Sequence, residues 1–404
     1  MSWDTICVGD VCKYTTSGGT PRSSVISYYE PPTVPWLKTK EVNYCRIYQT
    51  ESCISQEGLD NSSAKLIPEN SVIVAMYGQG DTAGRVAINK IPVSTNQACC
   101  NLIINPEKAD YEFVYYALSA LYEKLVSLKN GGAQPNLSAQ IIRSVEIPFP
   151  PLETQHKIAD ILSAYDDLIE NNQKQIKLLE EAAQRLYKEW FIDLRFPGHE
   201  TTPIVDGIPE GWEEKAMMDI CDSIGGGTPS TKVDEYYRGG KIRWVTPTDI
   251  TRNIGLILLD TEKKITEEGF RNSSAKMVPP YTILMTSRAS VGFFGLCEHE
   301  VCTNQGFISC VPYQENIRFY LLHNLMSRVD EIRAKASGST FLEISKKTFR
   351  DLRIILPSDC ILEVFNKQIW PVVRQMEMLT KSIVKLREAR DRLLPKLMSG
   401  EIEV

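Results

Sequence analysis

Four side chains that could bind zinc lie close together in the second half of this sequence. Thiolates and imidazoles are the usual ligands of structural zinc, and the four are Cys297, His299, Cys302 and Cys310. Their spacing does not match that of known zinc fingers. The equivalent positions of a repeat in the first half carry Ser94 and Leu102 in place of the last two cysteines. We therefore predict that these thiols lie in the core and that the chain holds no metal.

Two other segments resemble enzyme motifs without meeting their chemical requirements. Val278-Pro279-Pro280-Tyr281 is similar to the loop that holds the target amine in adenine methyltransferases, but Val278 cannot accept the hydrogen bond that an Asp or Asn accepts there. The glycines of Tyr77–Gly84 do not fit the dinucleotide-binding pattern, and no Walker A lysine motif occurs. We predict a turn before a strand at the first segment and a turn or a flexible loop at the second. We also predict a chain that has no catalytic residues and no cofactor of its own.

Several polar side chains in the predicted loops are of types that can contact a nucleic acid. Arginine pairs with guanine, and Asn or Gln pairs with adenine, in the major groove, while Thr, Ser, Lys and Arg contact phosphates. The candidates in the first half are Thr20, Arg22, Lys38, Lys40, Gln79 and Gln134. Those in the second half are Thr228, Lys232, Arg243, Thr248, Arg252, Arg288 and Ser290. Glycines beside Thr20 and Thr228 either form simple turns or let the backbone approach DNA closely.

The two halves of the sequence repeat one another. A Gly-Thr-Pro, a Tyr pair, a Trp and a Thr-Asn-Gln recur at one offset, which is 228 − 20 = 208 at Thr20 and Thr228. An Asn-Ser-Ser-Ala-Lys motif recurs at 272 − 61 = 211. A repeat this long is a duplicated domain rather than a solenoid unit of roughly 20–50 residues. Trp36, Trp244 and the Tyr pairs are predicted to be core side chains.

Composition indicates a globular protein with more than one domain. A chain of 404 residues can form two or three full cores, and its hydrophobic fraction of 43% is typical of soluble proteins. Its net charge of −6 argues against a generic polyanion binder. Eleven cysteines without a CxxC pair indicate reduced thiols. With neither a secretory signal nor a membrane-spanning stretch recognised, we expect a cytoplasmic protein.

Each repeat combines short strands with a helix and is followed by a long helix, which predicts an α+β class. Short β-branched runs broken by Gly and Pro predict strands, and apolar periodicity predicts helices over 111–128 and 316–336. The predicted domains are 1–151, a spacer helix 152–196, 197–357 and a C-terminal spacer helix 358–404. In the last helix, Pro371 is predicted to cause a kink.

The two long helices carry apolar stripes that must be buried. We predict that they form one antiparallel intrachain coiled coil, which separates the two repeated domains with pseudo-two-fold symmetry. The predicted helix-pairing residues are Ile158, Leu162, Ile169, Ile176, Leu179, Leu186, Val373, Met376, Leu379, Ile383, Leu386 and Leu393.

The whole chain resembles the specificity (S) subunit of Type I restriction-modification enzymes. The matching features include the Gly-Thr-Pro with its Tyr pair and Trp, the turn before the strand at Pro68–Val74, and Asn96-Gln97 with Asn304-Gln305-Gly306-Phe307. The most specific is the junction Ile147–Gln155, which follows a polar turn at 131–138 and leads into the first long helix. The second junction, Leu356–Cys360, departs from this pattern because it lacks the Gln.

This resemblance implies that each repeat is a target-recognition domain that reads one half of an asymmetric, bipartite site in double-stranded DNA. It also implies that the helices set the gap between the half-sites and dock two methyltransferase (modification) subunits. Restriction/translocase subunits would join for cleavage, and S-adenosylmethionine, ATP and Mg would be bound by those partners. No membrane partner is implied.

Two alternatives come from other functional classes. One is an enzyme that modifies DNA alone, which would need a catalytic or metal constellation. The other is a coiled-coil scaffold whose domains bind protein, which would need no basic face on those domains.

Overall fold

The computed structural model describes residues 3–129, 136–338 and 341–404. The chain divides into two compact units, one made of residues up to 168 together with 386–404, and the other of residues 169–385. Each unit contains one repeat and a part of each long helix. The domain boundaries predicted from the sequence stay a prediction.

The first unit contains two main sheets and a small strand pair. Its strands are β1 (Thr5–Cys7), β2 (Cys12–Ser17), β3 (Val34–Leu37), β4 (Cys45–Ile47), β5 (Cys53–Ile54), β6 (Leu66–Ile67), β7 (Val72–Ala75), β8 (Val86–Asn89), β9 (Val93–Thr95), β10 (Cys99–Ile104) and β11 (Glu146–Pro148). The sheet orders are β2-β10-β7-β8-β4, β5-β3-β9-β6 and β1-β11. β3 pairs with β9, and β4 with β8, in parallel; the remaining pairs are antiparallel.

Short helices cover this sheet core. They are α1 (Gln56–Asp60), α2 (Tyr111–Ala120), α3 (Tyr122–Ser127) and α4 (Ala139–Arg143), and the long helix α5 (Leu152–Tyr187) starts in this unit. The helix predicted over 111–128 is therefore confirmed, but it is divided at Leu121, whose ψ of 16° leaves the helical region. All residues of β10 are buried, as expected of a central strand.

The second unit repeats this arrangement. Its strands are β12 (Ile204–Val205), β13 (Ile208–Pro209), β14 (Glu213–Ala216), β15 (Cys221–Gly225), β16 (Ile242–Val245), β17 (Lys264–Ile265), β18 (Met277–Val278), β19 (Ile283–Thr286), β20 (Phe294–Gly295), β21 (Val301–Thr303), β22 (Phe307–Pro312) and β23 (Arg353–Leu356). The sheets β15-β22-β19-β20, β17-β16-β21-β18 and β14-β23 match those of the first unit strand for strand, apart from an equivalent of β4. The remaining pair, β12-β13, is a hairpin outside the repeat.

The helices of the second unit follow the same order. They are α6 (Met217–Ile220), α7 (Pro247–Thr251), α8 (Glu267–Arg271), α9 (Arg318–Ser327), α10 (Val329–Ala334) and α11 (Lys346–Arg350), and the long helix α12 (Asp359–Met398) starts here. His323 of α9 is buried among aromatic rings that include Tyr187 and Phe365. Burial lowers the pKa of His323 to about 4, so its imidazole is neutral at pH 7.

The bounds of the long helices differ from the predicted ones at three ends. α5 stops at Tyr187, and a single π-helical turn covers Lys188–Ile192. Residues 193–196, predicted as helix, lie outside it because Leu194 has a left-handed φ of 56°. α12 begins one position after the predicted start and ends at Met398. It continues through Pro371 as one uninterrupted helix.

In both units the long helices run antiparallel. In the second unit Asn172 Nδ2 donates to Ser382 Oγ at 3.2 Å, while the rings of Tyr187 and Phe365 lie 6.5 Å apart, so one helix ascends as the other descends. Of the predicted pairing residues, eight are buried and four are half-buried. The buried ones are Ile158, Leu162, Ile169, Ile176, Val373, Met376, Leu379 and Ile383. The half-buried ones are Leu179, Leu186, Leu386 and Leu393.

The apolar stripes face the recognition domains as well as the partner helix. Ile158 and Leu162 belong to the core of the first unit together with Phe113 of α2. Ile176 lies against Gly255, where an added Cβ would be 2.8 Å from the Ile176 side chain. The same stripe therefore fixes the helix to its domain and to its partner.

The helix starts also show how a polar contact is replaced. Gln155 is fully buried; its amide donates to the carbonyl of Pro150 at 2.9 Å and accepts the backbone N–H of Asp110 at 3.1 Å. In the second unit Leu362 lies four residues after Ser358, as Gln155 follows Pro151, and it is fully buried. α12 starts without the Gln because an apolar side chain fills the same place and leaves no amide to satisfy.

A largely buried ion pair of the first unit joins the two long helices. Arg390 donates to Asp166 Oδ1 at 2.5 Å, and Tyr116 donates to Oδ2 at 2.6 Å, with side-chain exposures of 18% for Arg390 and 13% for Asp166. We predict that Asp166→Ala lowers the free energy of unfolding by about 3 kcal/mol, because Arg390 and Tyr116 lose their shared partner in a desolvated site. Urea unfolding followed by circular dichroism measures this.

The control is Lys157→Ala on the same helix, which removes an exposed pair with Glu153. Its effect should stay within about 0.5 kcal/mol. Equal unfolding midpoints for the two variants would contradict a structural role for the Asp166 pair.

Candidate nucleic-acid interface

The Gly-Gly-Thr-Pro loops of the two repeats, Gly18–Pro21 and Gly226–Pro229, are held by the same hydrogen bonds. In the first, the N–H of Gly19 donates to the carbonyl of Thr95 at 2.8 Å, and the Thr20 hydroxyl donates to Gln97 Oε1. In the second, Gly227 donates to Thr303 at 2.9 Å, and Thr228 donates to Gln305 Oε1. The Gly-Thr-Pro and Thr-Asn-Gln motifs recur together because each binds the other.

The recurring aromatic residues hold the first loop in place by hydrogen bonds to its carbonyl groups. Trp36 Nε1 donates to the carbonyl of Gly19 at 3.0 Å, and the Tyr29 hydroxyl donates to that of Pro21 at 2.7 Å. Their rings meet edge to face at 6.3 Å. Since Trp36 is buried, it positions the loop and is not available to contact a base.

The second repeat contains the same aromatic contacts. Trp244 donates to Gly227 at 2.9 Å, Tyr237 donates to Pro229 at 2.7 Å, and the two rings lie 5.9 Å apart. The prediction that the tryptophans are core residues is confirmed in both repeats.

The glycines of the loop are required by the protein's own packing. A Cβ on Gly18 would lie 2.1 Å from the carbonyl oxygen of Thr95, and one on Gly19 would lie 2.3 Å from the backbone nitrogen of Ala64. Gly226 and Gly227 are equally confined. Ala64 belongs to the Asn-Ser-Ser-Ala-Lys motif, whose recurrence is thereby explained. These contacts support the turn interpretation of the glycines rather than a close approach to DNA.

Two further segments join this loop in each repeat. The N–H of Met76, just after β7, donates to Ala98 at 2.8 Å, and Leu137 donates to Met76 at 2.9 Å. The equivalent bonds of the second repeat join Ser287 to Gly306 at 2.8 Å and Ile344 to Ser287 at 3.0 Å. The segments after β7 and β19, and those before α4 and α11, therefore meet the Thr-Asn-Gln turns at one place.

Most candidates of the first repeat lie at this junction. Thr20, Arg22 and Gln79 are exposed on the joined segments. Lys38 is half-buried, with its ammonium 5.0 Å from the Trp36 ring, and follows Leu37, whose carbonyl accepts the N–H of Asn96. Lys40 forms an ion pair with Glu51. Gln134 lies outside the described residues.

The second repeat separates its candidates into two groups. Thr228, Lys232 and Arg288 are exposed, and Ser290 is half-buried, on or beside the joined segments. The others lie on β16 and around α7: Arg243, Thr248 and Arg252. Arg243 donates to Asp260 at 3.1 Å, and Lys264 binds the same carboxylate at 2.7 Å. That local pairing reduces the positive charge which Arg243 can offer to a phosphate.

Sequence reasoning missed three residues of this junction. Phe341 and Leu342 are exposed just before Ile344, although large apolar residues are ordinarily assigned to a core. The Lys346 ammonium lies 2.4 Å from the position of a Cβ on Gly225, directly before the Gly-Gly-Thr-Pro loop. The sequence feature that could have identified these three residues is their position directly after the polar turn of the repeat.

The cysteines of the candidate zinc site and Tyr281 of the methyltransferase-like segment make contacts within the protein. Cys297, Cys302 and Cys310 are buried, and burial raises the pKa of Cys302 to about 12. Within residues 3–129, 136–338 and 341–404, no group of three His, Cys, Asp or Glu side chains is arranged to hold a metal. Tyr281 donates to Glu377 of α12 at 2.9 Å, and burial together with this bond raises the Tyr281 pKa to about 12.

No helix in the described part of the chain is long and apolar enough to cross a membrane.

The glycine packing leads to a stability prediction. Gly18→Ala should lower the free energy of unfolding by about 3 kcal/mol, because backbone atoms of Thr95 and Asn96 occupy the space of the new methyl group. Gly80→Ala is the control: its φ of 62° imposes strain, but nothing lies within 4 Å, so about 1 kcal/mol is expected. Thermal unfolding of both full-length variants measures the difference. A Gly18 variant as stable as the Gly80 variant would refute the packing argument.

Comparison with known proteins agrees with this duplicated arrangement. The sequence model of the Type I restriction modification DNA specificity domain matches residues 1–181 and again 209–388. The Type I restriction enzyme MjaIX specificity subunit of Methanocaldococcus jannaschii is 28% identical over 422 residues, covering 100% of this chain and 94% of that protein. The HindI specificity subunit of Haemophilus influenzae is 26% identical, covering 70% of this chain and 74% of its own length.

A solved structure shares the fold. The crystal structure of the Type-I restriction-modification system S subunit from M. genitalium matches with a TM-score of 0.58 at 18% identity, covering 98% of this chain and 96% of that one. The repeated domain, the paired long helices and the two sequence matches lead to one conclusion: the chain belongs to the family of Type I restriction modification DNA specificity domains.

Proposed function

We propose that this chain is the DNA sequence-recognition subunit of a Type I restriction-modification complex, in which each repeat reads one half of an asymmetric bipartite site. The observation that supports this most directly is that the two repeats hold the same loops by the same hydrogen bonds but carry different exposed side chains. Arg22 corresponds to Ser230, and Gln79 corresponds to Ser290, at the offsets of 208 and 211.

Shared and divergent residues would then have different roles. Residues common to both repeats cannot distinguish two half-sites, so they suit phosphate contacts, which position the protein without reading sequence. Thr20 and Thr228 each donate to the oxygen of a glutamine, Gln97 or Gln305, which leaves the amide NH2 of that glutamine as a donor for DNA. Arg22, Gln79, Lys232 and Arg288 have no identical counterpart and suit base edges.

Catalysis and cofactors would belong to other subunits. We propose that two methyltransferase subunits bind with the help of the paired long helices, and that restriction/translocase subunits join them. S-adenosylmethionine, ATP and Mg would be bound by those partners, and this chain would be non-catalytic. A net charge of −6 fits a protein that relies on partners for affinity and supplies selectivity itself.

The proposal is tested by methylome sequencing of host cells that contain the chain, lack it, or contain a chimera. In the chimera, residues 211–356 are replaced by the same block of a relative. A bipartite methylated motif should disappear without the chain, and only one half of it should change in the chimera, because each repeat holds its own loops. A motif that persists without the chain, or a chimera that changes both halves, would exclude this function.

We further propose that the length of the helices sets the number of base pairs between the half-sites. One heptad inserted into each helix, near Gln173 and Lys381, should add about 10 Å at 1.5 Å per residue. At 3.4 Å per base pair, the unspecified spacer of the methylated motif should lengthen by roughly three base pairs, with both half-sites unchanged.

The matched control inserts five residues at each of the same positions, which turns the apolar stripes away from each other. That variant should lose methylation. If the heptad variant methylates the original motif with its original spacer, the helices do not determine the spacing.

A further inference from the structure

Two adjacent large apolar side chains of the second repeat are exposed to solvent. Phe341 is 55% exposed and Leu342 is 53% exposed. Single exposed apolar residues are common on protein surfaces, but these two are neighbours and lie on a segment that joins the candidate interface. An apolar surface at that position requires an explanation beyond chance exposure.

The backbone of this segment is held firmly. The N–H of Ala289 donates to the carbonyl of Leu342 at 2.9 Å, and Ser337 and Glu343 exchange two backbone hydrogen bonds of 3.0 Å each. Ile344 is bound to Ser287 at 3.0 Å. Phe341 and Leu342 are thus displayed on a backbone that is already ordered, so little conformational entropy is lost when they bind.

The chain segment that contains the pair carries more bases than acids. The Arg288 guanidinium lies 5.9 Å from the centre of the Phe341 ring and forms an ion pair of 3.6 Å with Glu343. Between positions 335 and 350 the sequence has one acid, Glu343, and four bases, Lys335, Lys346, Lys347 and Arg350. Lys335 and Arg350 form ion pairs with Glu331 and Asp222, so Lys346 and Lys347 supply the local excess of positive charge. Because the whole chain is acidic, this local excess of positive charge favours a polyanion over an apolar protein partner.

We propose that Phe341 and Leu342 contact the 5-methyl groups of thymine in the half-site read by the second repeat. The thymine methyl is the apolar group that a base pair presents in the major groove, and apolar side chains recognise it there. Arg288 lies beside the pair and is placed for a neighbouring base edge or phosphate. This inference rests on the proposed function and specifies what one of its two sites recognises.

The first repeat differs at the same place. Leu137 and Ile344 make equivalent hydrogen bonds, so the local offset is 344 − 137 = 207. By that offset, Gln134 and Pro135 align with Phe341 and Leu342. An amide suits adenine rather than a methyl group, so dependence on thymine methyls is expected from the second repeat alone.

The test measures binding of the full chain, in its complex with the methyltransferase subunits, to duplexes that contain the methylated motif. Each thymine of the second half-site is replaced in turn by deoxyuridine, which removes only the 5-methyl group. For the unaltered chain, at least one replacement should weaken binding about fourfold, the effect of about 0.8 kcal/mol per buried methyl. The double variant F341A/L342A should bind the thymine and deoxyuridine duplexes equally.

The control is Ile204→Ala, which shortens a similarly exposed apolar residue of the β12-β13 hairpin. It should keep the full preference for thymine. Deoxyuridine in the first half-site is the matched control on the DNA. It should change the binding affinity of the unaltered chain and of F341A/L342A by the same factor. Thermal unfolding should be the same for all variants, since the altered side chains are exposed.

Several outcomes would overturn the inference while leaving the proposed function intact. They are a second half-site without an A·T pair, no effect of deoxyuridine, an F341A/L342A variant that still prefers thymine, or one that fails to assemble with its partners. The last outcome would identify the apolar pair as a protein-docking surface. If no variant, and not even the unaltered complex, prefers the motif over random DNA, it is the proposed function that fails.

Discussion

The contact between the Gly-Gly-Thr-Pro loop and the Thr-Asn-Gln turn is the constraint on which each repeat depends. The backbones approach so closely that no Cβ fits at Gly18 or Gly226. Because of this close approach, the Thr hydroxyl donates to the Gln amide oxygen. The loop carbonyls accept hydrogen bonds from the Trp indole and the Tyr hydroxyl. The segments after β7 and β19 are attached to this contact through one backbone hydrogen bond, and those before α4 and α11 through two. The same loop and turn contact in both repeats can therefore support exposed side chains that differ between them.

Duplication allows the buried contacts of this loop to stay the same in both copies while exposed side chains differ. The buried groups must satisfy one another, so a change at any one of them leaves a polar atom unpaired or creates a steric clash. Exposed side chains that no buried group depends on can differ between the copies, as Arg22 and its counterpart Ser230 show. Two copies of one scaffold can then acquire separate specificities, as an asymmetric DNA site requires.

The long helices solve a different problem, the burial of an apolar stripe. That stripe is divided between the opposite helix and the adjoining domain, as Ile158 and Ile176 show. Two sets of polar groups link the helices: Asp166 binds Arg390 and Tyr116, and Asn172 binds Ser382. Where the first unit buries the amide of Gln155, the second buries Leu362. Either solution works at this position because the Gln155 amide is hydrogen-bonded and Leu362 has no amide to satisfy.

The sequence alone determined the repeat, the α+β class, the antiparallel helices and the family, because periodicity and recurring motifs are properties of the chain itself. Tertiary structure decided which candidate side chains are exposed and which are paired within the chain. Lys40 and Arg243 are paired with Glu51 and Asp260, carboxylates that no local pattern assigns to them. The glycines serve internal packing, and Phe341 and Leu342 are exposed where hydrophobicity predicts a core. Exposure and charge pairing depend on neighbours that are distant along the chain, so only the folded protein could reveal them.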